Sequence, residues 1–102
     1  YNTCMLNNKK GNTMLLEEKV EMLINGYTEV LQDGRINVEW HDGKEYNITI
    51  DKGYYIVGFD REGNIFEVEK TDNVDLTGYE LEFEYGDIDY WYKDDIGVLI
   101  LR

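Results

Sequence analysis

The residues that could do chemistry in this chain are mostly carboxylates and aromatic rings between positions 67 and 95. Glu80, Glu82 and Glu84 alternate with apolar residues, which is typical of a half-buried β-strand. Side chains two apart on a strand point the same way, about 6.6–6.8 Å apart, so we expect a fixed row of three carboxylates. With its flanking residues, this row makes the predicted partner-binding set: Glu67, Glu69, Glu80, Glu82, Glu84, Asp87, Asp89, Tyr90, Trp91, Tyr92, Asp94 and Asp95.

Each part of this set has a predicted role. Glu67 and Glu69 form a second, shorter row if residues 64–70 are a strand. The four aspartates of the set would add negative charge from the neighbouring loops. The aromatic run at positions 90–92 would provide anchors, because Tyr and Trp carry much of the binding energy at protein interfaces.

The uneven distribution of charge makes this segment stand out. The chain has 22 acidic and 10 basic residues and a net charge of −12. Residues 72–95 contain nine acids and a single base, Lys93, whereas residues 1–26 sum to zero. Like charges held close together destabilise a fold, and solubility does not require them. The clustering therefore indicates a binding surface, although acids that simply face water remain the alternative.

Other chemistries have weaker support. The single histidine, His41, lies in a predicted turn, and a Cys4–His41 pair has no identified orienting group. Asp87 and Asp89 with the Asp94–Asp95 pair could ligate a hard cation, but their spacing does not match a calcium loop. A glycosidase-like carboxylate pair would arise by chance among so many acids. We predict no enzyme activity, no metal and no cofactor.

The pattern of the remaining residues predicts an α+β, mainly β protein. Thr13 is a plausible N-cap for a helix over about 13–25, which Asn25-Gly26 ends. Period-two segments and turn glycines then predict a strongly bent antiparallel meander sheet or a small barrel. Strands are expected at 27–31, 35–40, 44–50, 54–59, 64–70 and 79–85, with a short one at 90–92 and a last one at 96–101. Residues 1–12 form a polar N-terminal arm and residues 13–102 a single domain.

Composition limits the partners and the compartment. A chain of 102 residues fits one domain, and one cysteine favours a reducing, cytoplasmic setting. No apolar run reaches the roughly 20 residues that cross a bilayer, and no signal peptide is visible. An acidic surface is repelled by anionic lipid and by nucleic-acid phosphates, so neither is an expected direct partner.

Size, charge and the lack of catalytic motifs resemble those of small phage and mobile-element inhibitors that mimic DNA, including anti-CRISPR and anti-restriction proteins. The resemblance implies that the protein occupies the basic groove of a nucleic-acid-binding protein such as a nuclease, CRISPR effector or polymerase. The alternative is an interaction or assembly module. In that case the apolar run at 96–101 would extend a partner's sheet or form a homodimer.

Overall fold

The structure is a computed structural model that describes residues 14–102. The predicted arm at residues 1–12, the N-cap Thr13 and the Cys4 thiol lie outside the described residues. The described chain contains one helix and eight strands: α1 (Leu16–Asn25), β1 (Tyr27–Val30), β2 (Ile36–Glu39), β3 (Glu45–Ile48), β4 (Gly53–Phe59), β5 (Ile65–Thr71), β6 (Glu80–Tyr85), β7 (Ile88–Lys93) and β8 (Ile96–Leu101). The prediction of a mainly β protein with an N-terminal helix is confirmed.

Helix α1 begins later than the sequence predicts. Its N-cap position is held by Leu15, which has no side-chain oxygen to offer the first turn. The Glu18 carboxylate instead accepts a 3.0 Å hydrogen bond from the Leu15 backbone N–H, which is one half of a capping box. The helix buries Val20 and Leu23 against the sheets, as their helical spacing predicts.

The first three strands form a separate antiparallel sheet in the order β1-β2-β3. Gly34 and Gly43 occupy its two turns with positive φ, as the Asp-Gly pairs predict. Its inner face carries Ile36, Val38 and Ile48, which are buried. The opposite face exposes three glutamates of adjacent strands, Glu29, Glu39 and Glu45.

The other five strands form a second antiparallel sheet in the order β5-β4-β8-β7-β6. The chain is therefore not one continuous meander, and no closed barrel forms within residues 14–102. Residues 49–52 link the two sheets rather than closing a hairpin. Strand β8 is central and paired on both sides, so the interpretation of 96–101 as a buried strand is correct. An interface in which β8 extends a partner's sheet does not fit, because its backbone groups are already paired.

The core lies between the helix, the three-stranded sheet and the inner face of the five-stranded sheet. Tyr55, Val57, Ile88 and Leu99 contribute the sheet's side of this core. The apolar run at residues 96–101 is thus used in packing. This packing holds the strands that carry the acidic residues in fixed positions.

The connection from β5 to β6 crosses the outer face of the five-stranded sheet. These two strands are at opposite edges, and Thr71 and Glu80 lie at opposite ends of the sheet. The intervening segment, residues 72–79, therefore runs diagonally. Its last part lies against Lys93, whose ammonium is 5.7 Å from the centroid of the Tyr79 ring. Because Lys93 pairs with Ile96 on the outer face, the segment covers that face and not the core.

Candidate partner-binding surface

The predicted row of three glutamates on β6 does not form. The pairing of β6 with β7 shifts between Leu81 and Phe83, leaving Glu82 as the extra residue of a β-bulge. Glu80 pairs with Tyr92 and Glu84 pairs with Asp89, and these two partners point to opposite faces of β7. Glu80 and Glu84 are therefore on opposite faces, and the prediction of a single row is wrong. The bulge also turns Leu81 outward, where its side chain is 47% exposed.

Three of the predicted acids, Glu84, Asp87 and Asp89, lie at the turn end of the β6–β7 hairpin, where Arg102 forms ion pairs with Glu84 and Asp89. Arg102 donates to the Asp89 carboxylate and, at 2.7 Å, to the Gly86 carbonyl. Its guanidinium is also 3.9 Å from the Glu84 carboxylate. The backbone carbonyl of Asp87 accepts a 2.9 Å bond from the Arg102 N–H. Asp89 is only 8% exposed, so it is an internal ion-pair partner and not a free surface charge.

The three aromatic residues of β7 do not act as one anchor. Tyr90 is 7% exposed and belongs to the core, with its ring centroid 5.5 Å from that of Phe83. Trp91 points to the opposite, outer face, where it is half-buried. Tyr92 shares the face of Tyr90 and is partly exposed. The alternation of a strand separates neighbouring rings in this way.

The remaining predicted residues lie towards one end of the five-stranded sheet, but they are divided between its two faces. The β4–β5 turn and the β7–β8 turn lie side by side here, joined by a 3.2 Å bond from the Phe59 N–H to the Asp95 carbonyl. Glu80 begins β6 at the same end. Two depressions flank the Asp94–Asp95 turn, one on each face of the sheet, and both include Phe59 and Ile96 in their lining.

The depression on the outer face, here called the outer groove, has a volume of about 300 Å³. It brings together three predicted acids with an apolar floor. Phe66 lies over Gly58: a Cβ on Gly58 would be 3.2 Å from two atoms of the ring. The Phe66 side chain is nevertheless 64% exposed. The lining consists of Ile56, Gly58, Phe59, Phe66, Glu67, Glu69, Asp95 and Ile96.

The depression on the inner face, here called the aromatic cleft, lies between the end of α1 and strands β6 to β8. Its volume is about 350 Å³. Four aromatic rings and two carboxylates contribute to its lining, which consists of Ile24, Asn25, Phe59, Glu82, Phe83, Tyr90, Tyr92, Asp94 and Ile96. Across residues 14–102, no Lys or Arg lines either depression.

The sequence prediction missed the apolar residues of this surface. The sequence pattern assigns Phe59, Phe66 and Ile96 to strands and gives no sign that they line a groove. Phe66 is exposed because the pairing of β4 with β5 shifts between Gly58 and Phe59. A large apolar residue directly after Ile65 breaks the alternation, and this is the one signal that could have indicated an outward-facing ring.

Several exposed aspartates outside this surface have a local structural role. The Asp60 carboxylate accepts bonds from the Glu62 and Asn64 N–H groups, at 3.0 and 2.8 Å. Hydrogen bonds from Tyr46 and Lys44 hold the pKa of Asp42 below its usual value. Such carboxylates stabilise turns, so their charge alone is not evidence of binding.

The other predicted chemistries gain no geometric support. Asp87 and Asp89 are at the opposite end of β7 from Asp94 and Asp95, which separates the candidate cation ligands. Among the described residues, no group of three or more His, Cys, Asp or Glu could hold a metal ion. His41 is exposed in a turn beside Trp40, with ring centroids 4.6 Å apart.

The buried phenol of Tyr90 predicts a loss of stability at high pH. Burial, assisted by the nearby Glu82 carboxylate, raises the pKa of Tyr90 from 10.0 to about 12. Because the pKa of this phenol is higher in the folded than in the unfolded state, its contribution to the free energy of unfolding is fully present below the unfolded pKa. That contribution is lost as the pH rises from about 10 to about 12. We expect the free energy of unfolding of the native chain, relative to that of Tyr90→Phe, to fall between pH 8 and pH 11 in urea unfolding. A constant difference between the two proteins would contradict this assignment.

No family model, curated protein or solved structure matches the chain. The described residues also contain no helix with the length and apolar character needed to cross a membrane.

Proposed function

We propose that this protein acts by binding, without catalysis, and that it occupies the basic groove of a nucleic-acid-binding protein in the cytoplasm. The target class is a nuclease, CRISPR effector or polymerase, which the protein would inhibit by keeping DNA or RNA out. One observation supports this most: Glu67, Glu69 and Asp95 border an apolar groove to which the described chain contributes no Lys or Arg. Carboxylates carried by packed strands and a tight turn present fixed negative charge, as a nucleic-acid backbone does.

The structure changes which residues we assign to this role. Glu67, Glu69, Glu80, Glu82, Asp94 and Asp95 lie at or near one end of the five-stranded sheet, with Phe66 and Ile96 as the exposed apolar contacts. Glu84, Asp87 and Asp89 are left out because Arg102 occupies their side of the hairpin. An interface that combines apolar contacts with charge gains affinity from the first and rapid, selective encounter from the second.

The test compares two charge reversals of equal size. The variant Glu67→Lys/Glu69→Lys/Asp95→Lys reverses the charges of the outer groove. The matched control, Glu29→Lys/Glu39→Lys/Glu45→Lys, makes the same change in net charge on the exposed face of the three-stranded sheet. Immobilised native protein should capture a nucleic-acid-binding protein from a bacterial lysate, about tenfold less at high salt. The captured protein should then lose DNA or RNA binding when the native chain is added.

We expect the outer-groove variant to lose capture and inhibition while its circular dichroism stays native, and the control to retain both. Capture of no basic protein at low salt would refute the proposal. Equal loss in both triple variants would show that net charge, and not this surface, determines binding.

A further inference from the structure

The aromatic cleft combines the features of a binding site for an organic cation. Glu82 and Asp94 lie in its lining together with the rings of Tyr90 and Tyr92. We propose that the cleft binds the guanidinium group of an arginine side chain. The inference rests on the proposed function only for the source of that arginine, which is the basic surface of the partner.

Two electrostatic contributions favour a cation here. Glu82 and Asp94 provide two formal negative charges. Asn25, the last residue of α1, also lines the cleft, and the last turn of this helix contains no basic residue. No basic side chain of this turn therefore neutralises the negative end of the helix dipole, which favours a cation in the cleft.

The aromatic lining favours guanidinium over a small metal ion. Phe59, Phe83, Tyr90 and Tyr92 offer π faces and an apolar surface for the alkyl stem. The Phe83 and Tyr90 rings lie next to each other in this lining, with centroids 5.5 Å apart. Arginine suits this combination better than lysine, because its planar, weakly hydrated group stacks on rings and pairs with carboxylates. A volume of about 350 Å³ is within the usual size of small-ligand sites.

The experiment uses the native chain and N-acetyl-arginine amide, a probe with one positive charge. Binding is followed by methyl NMR shifts of Ile24 and Ile96, which line the cleft from α1 and β8. We expect saturable shifts at both methyls and weaker binding of N-acetyl-lysine amide. The uncharged isostere N-acetyl-citrulline amide should bind at least about fivefold more weakly.

Two variants separate the cleft from general electrostatic attraction. Glu82→Gln/Asp94→Asn removes both carboxylates, and asparagine tolerates the positive φ of 56° at position 94. Glu39→Gln/Glu45→Gln makes the same charge change on the three-stranded sheet. We expect the first double variant to bind the arginine probe at least about fivefold more weakly, and the second to bind it as the native chain does.

Three outcomes would overturn the assignment: equal binding of the citrulline probe, equal losses in both double variants, or tighter binding of spermidine at the same methyls. The last would identify a free polyamine as the ligand. Failure of the proposed function is distinguishable, because the arginine probe would then still bind the isolated chain while no partner is captured.

Discussion

Replacing Arg102 with methionine is expected to lower the free energy of unfolding by about 2–3 kcal/mol. The change leaves the Asp89 carboxylate buried without its cation. The Oδ1 atom of Asp89 already has no hydrogen-bond partner among the described residues, so Arg102 provides the compensation for this charge. We place the loss below that of a fully buried pair because the Arg102 side chain is 45% exposed. Urea unfolding of the purified chain measures it.

The matched control is Arg35→Met. Arg35 also pairs with an aspartate, Asp33, at 2.7 Å, but both side chains are about half exposed. Exposed pairs contribute little, so we expect a loss below about 0.5 kcal/mol. Adding Asp89→Asn to Arg102→Met should recover part of the stability, because the uncompensated charge is gone. Equal losses in the two arginine variants would contradict the role of Asp89 as a buried charge.

Adding one methyl group at Gly26 is expected to destabilise the fold by about 3 kcal/mol. Gly26 follows α1 immediately and joins it to β1. A Cβ at this position would be 2.5 Å from Cγ1 of Val38 and 2.7 Å from the backbone carbonyl oxygen of Met22. Neither atom can move aside without shifting the helix or the buried centre of β2. Thermal and urea unfolding of Gly26→Ala would measure the cost.

Gly63→Ala is the control for this substitution. Gly63 has a φ of +85° but no atom within 4 Å of its virtual Cβ, so only backbone strain opposes the change. We expect a cost of about 1 kcal/mol. Adding Val38→Ala to Gly26→Ala cannot restore native stability, because it leaves the contact with the Met22 carbonyl. A Gly26→Ala protein as stable as Gly63→Ala would show that helix and sheet are not held this closely.

Local periodicity predicted the elements well and their long-range pairing poorly. The helical stripe through Val20 and Leu23 and the turn glycines depend on neighbours within a few residues, and both are confirmed. The bulge at Glu82 leaves no trace in the sequence, because Tyr79 to Tyr85 alternate without a break. The predicted choice of face is therefore correct for Phe83 to Tyr85, after the bulge, and wrong for Glu80 and Leu81 before it.

The candidate surface depended still more on contacts that are distant in sequence. Asp89 and Arg102 meet because β8 pairs with β7, and no spacing rule specifies this partner. Tyr90 became a core residue through the packing of both sheets. Conversely, Glu67 and Asp95 are 28 positions apart, yet they border one groove because β4 and β8 lie next to each other.

The central position of β8 has a consequence for biosynthesis. Before residues 96–101 emerge from the ribosome, the β4–β5 and β6–β7 hairpins have no shared strand to join them. Each nascent hairpin then offers an unpaired backbone edge and the apolar side chains of the unfinished interior. Closing the sheet then requires contacts between β4 and β8, whose paired residues are 38 to 48 positions apart in sequence. Chaperone contact during translation would thus fall on the edges of β4 and β7, the two strands that await β8.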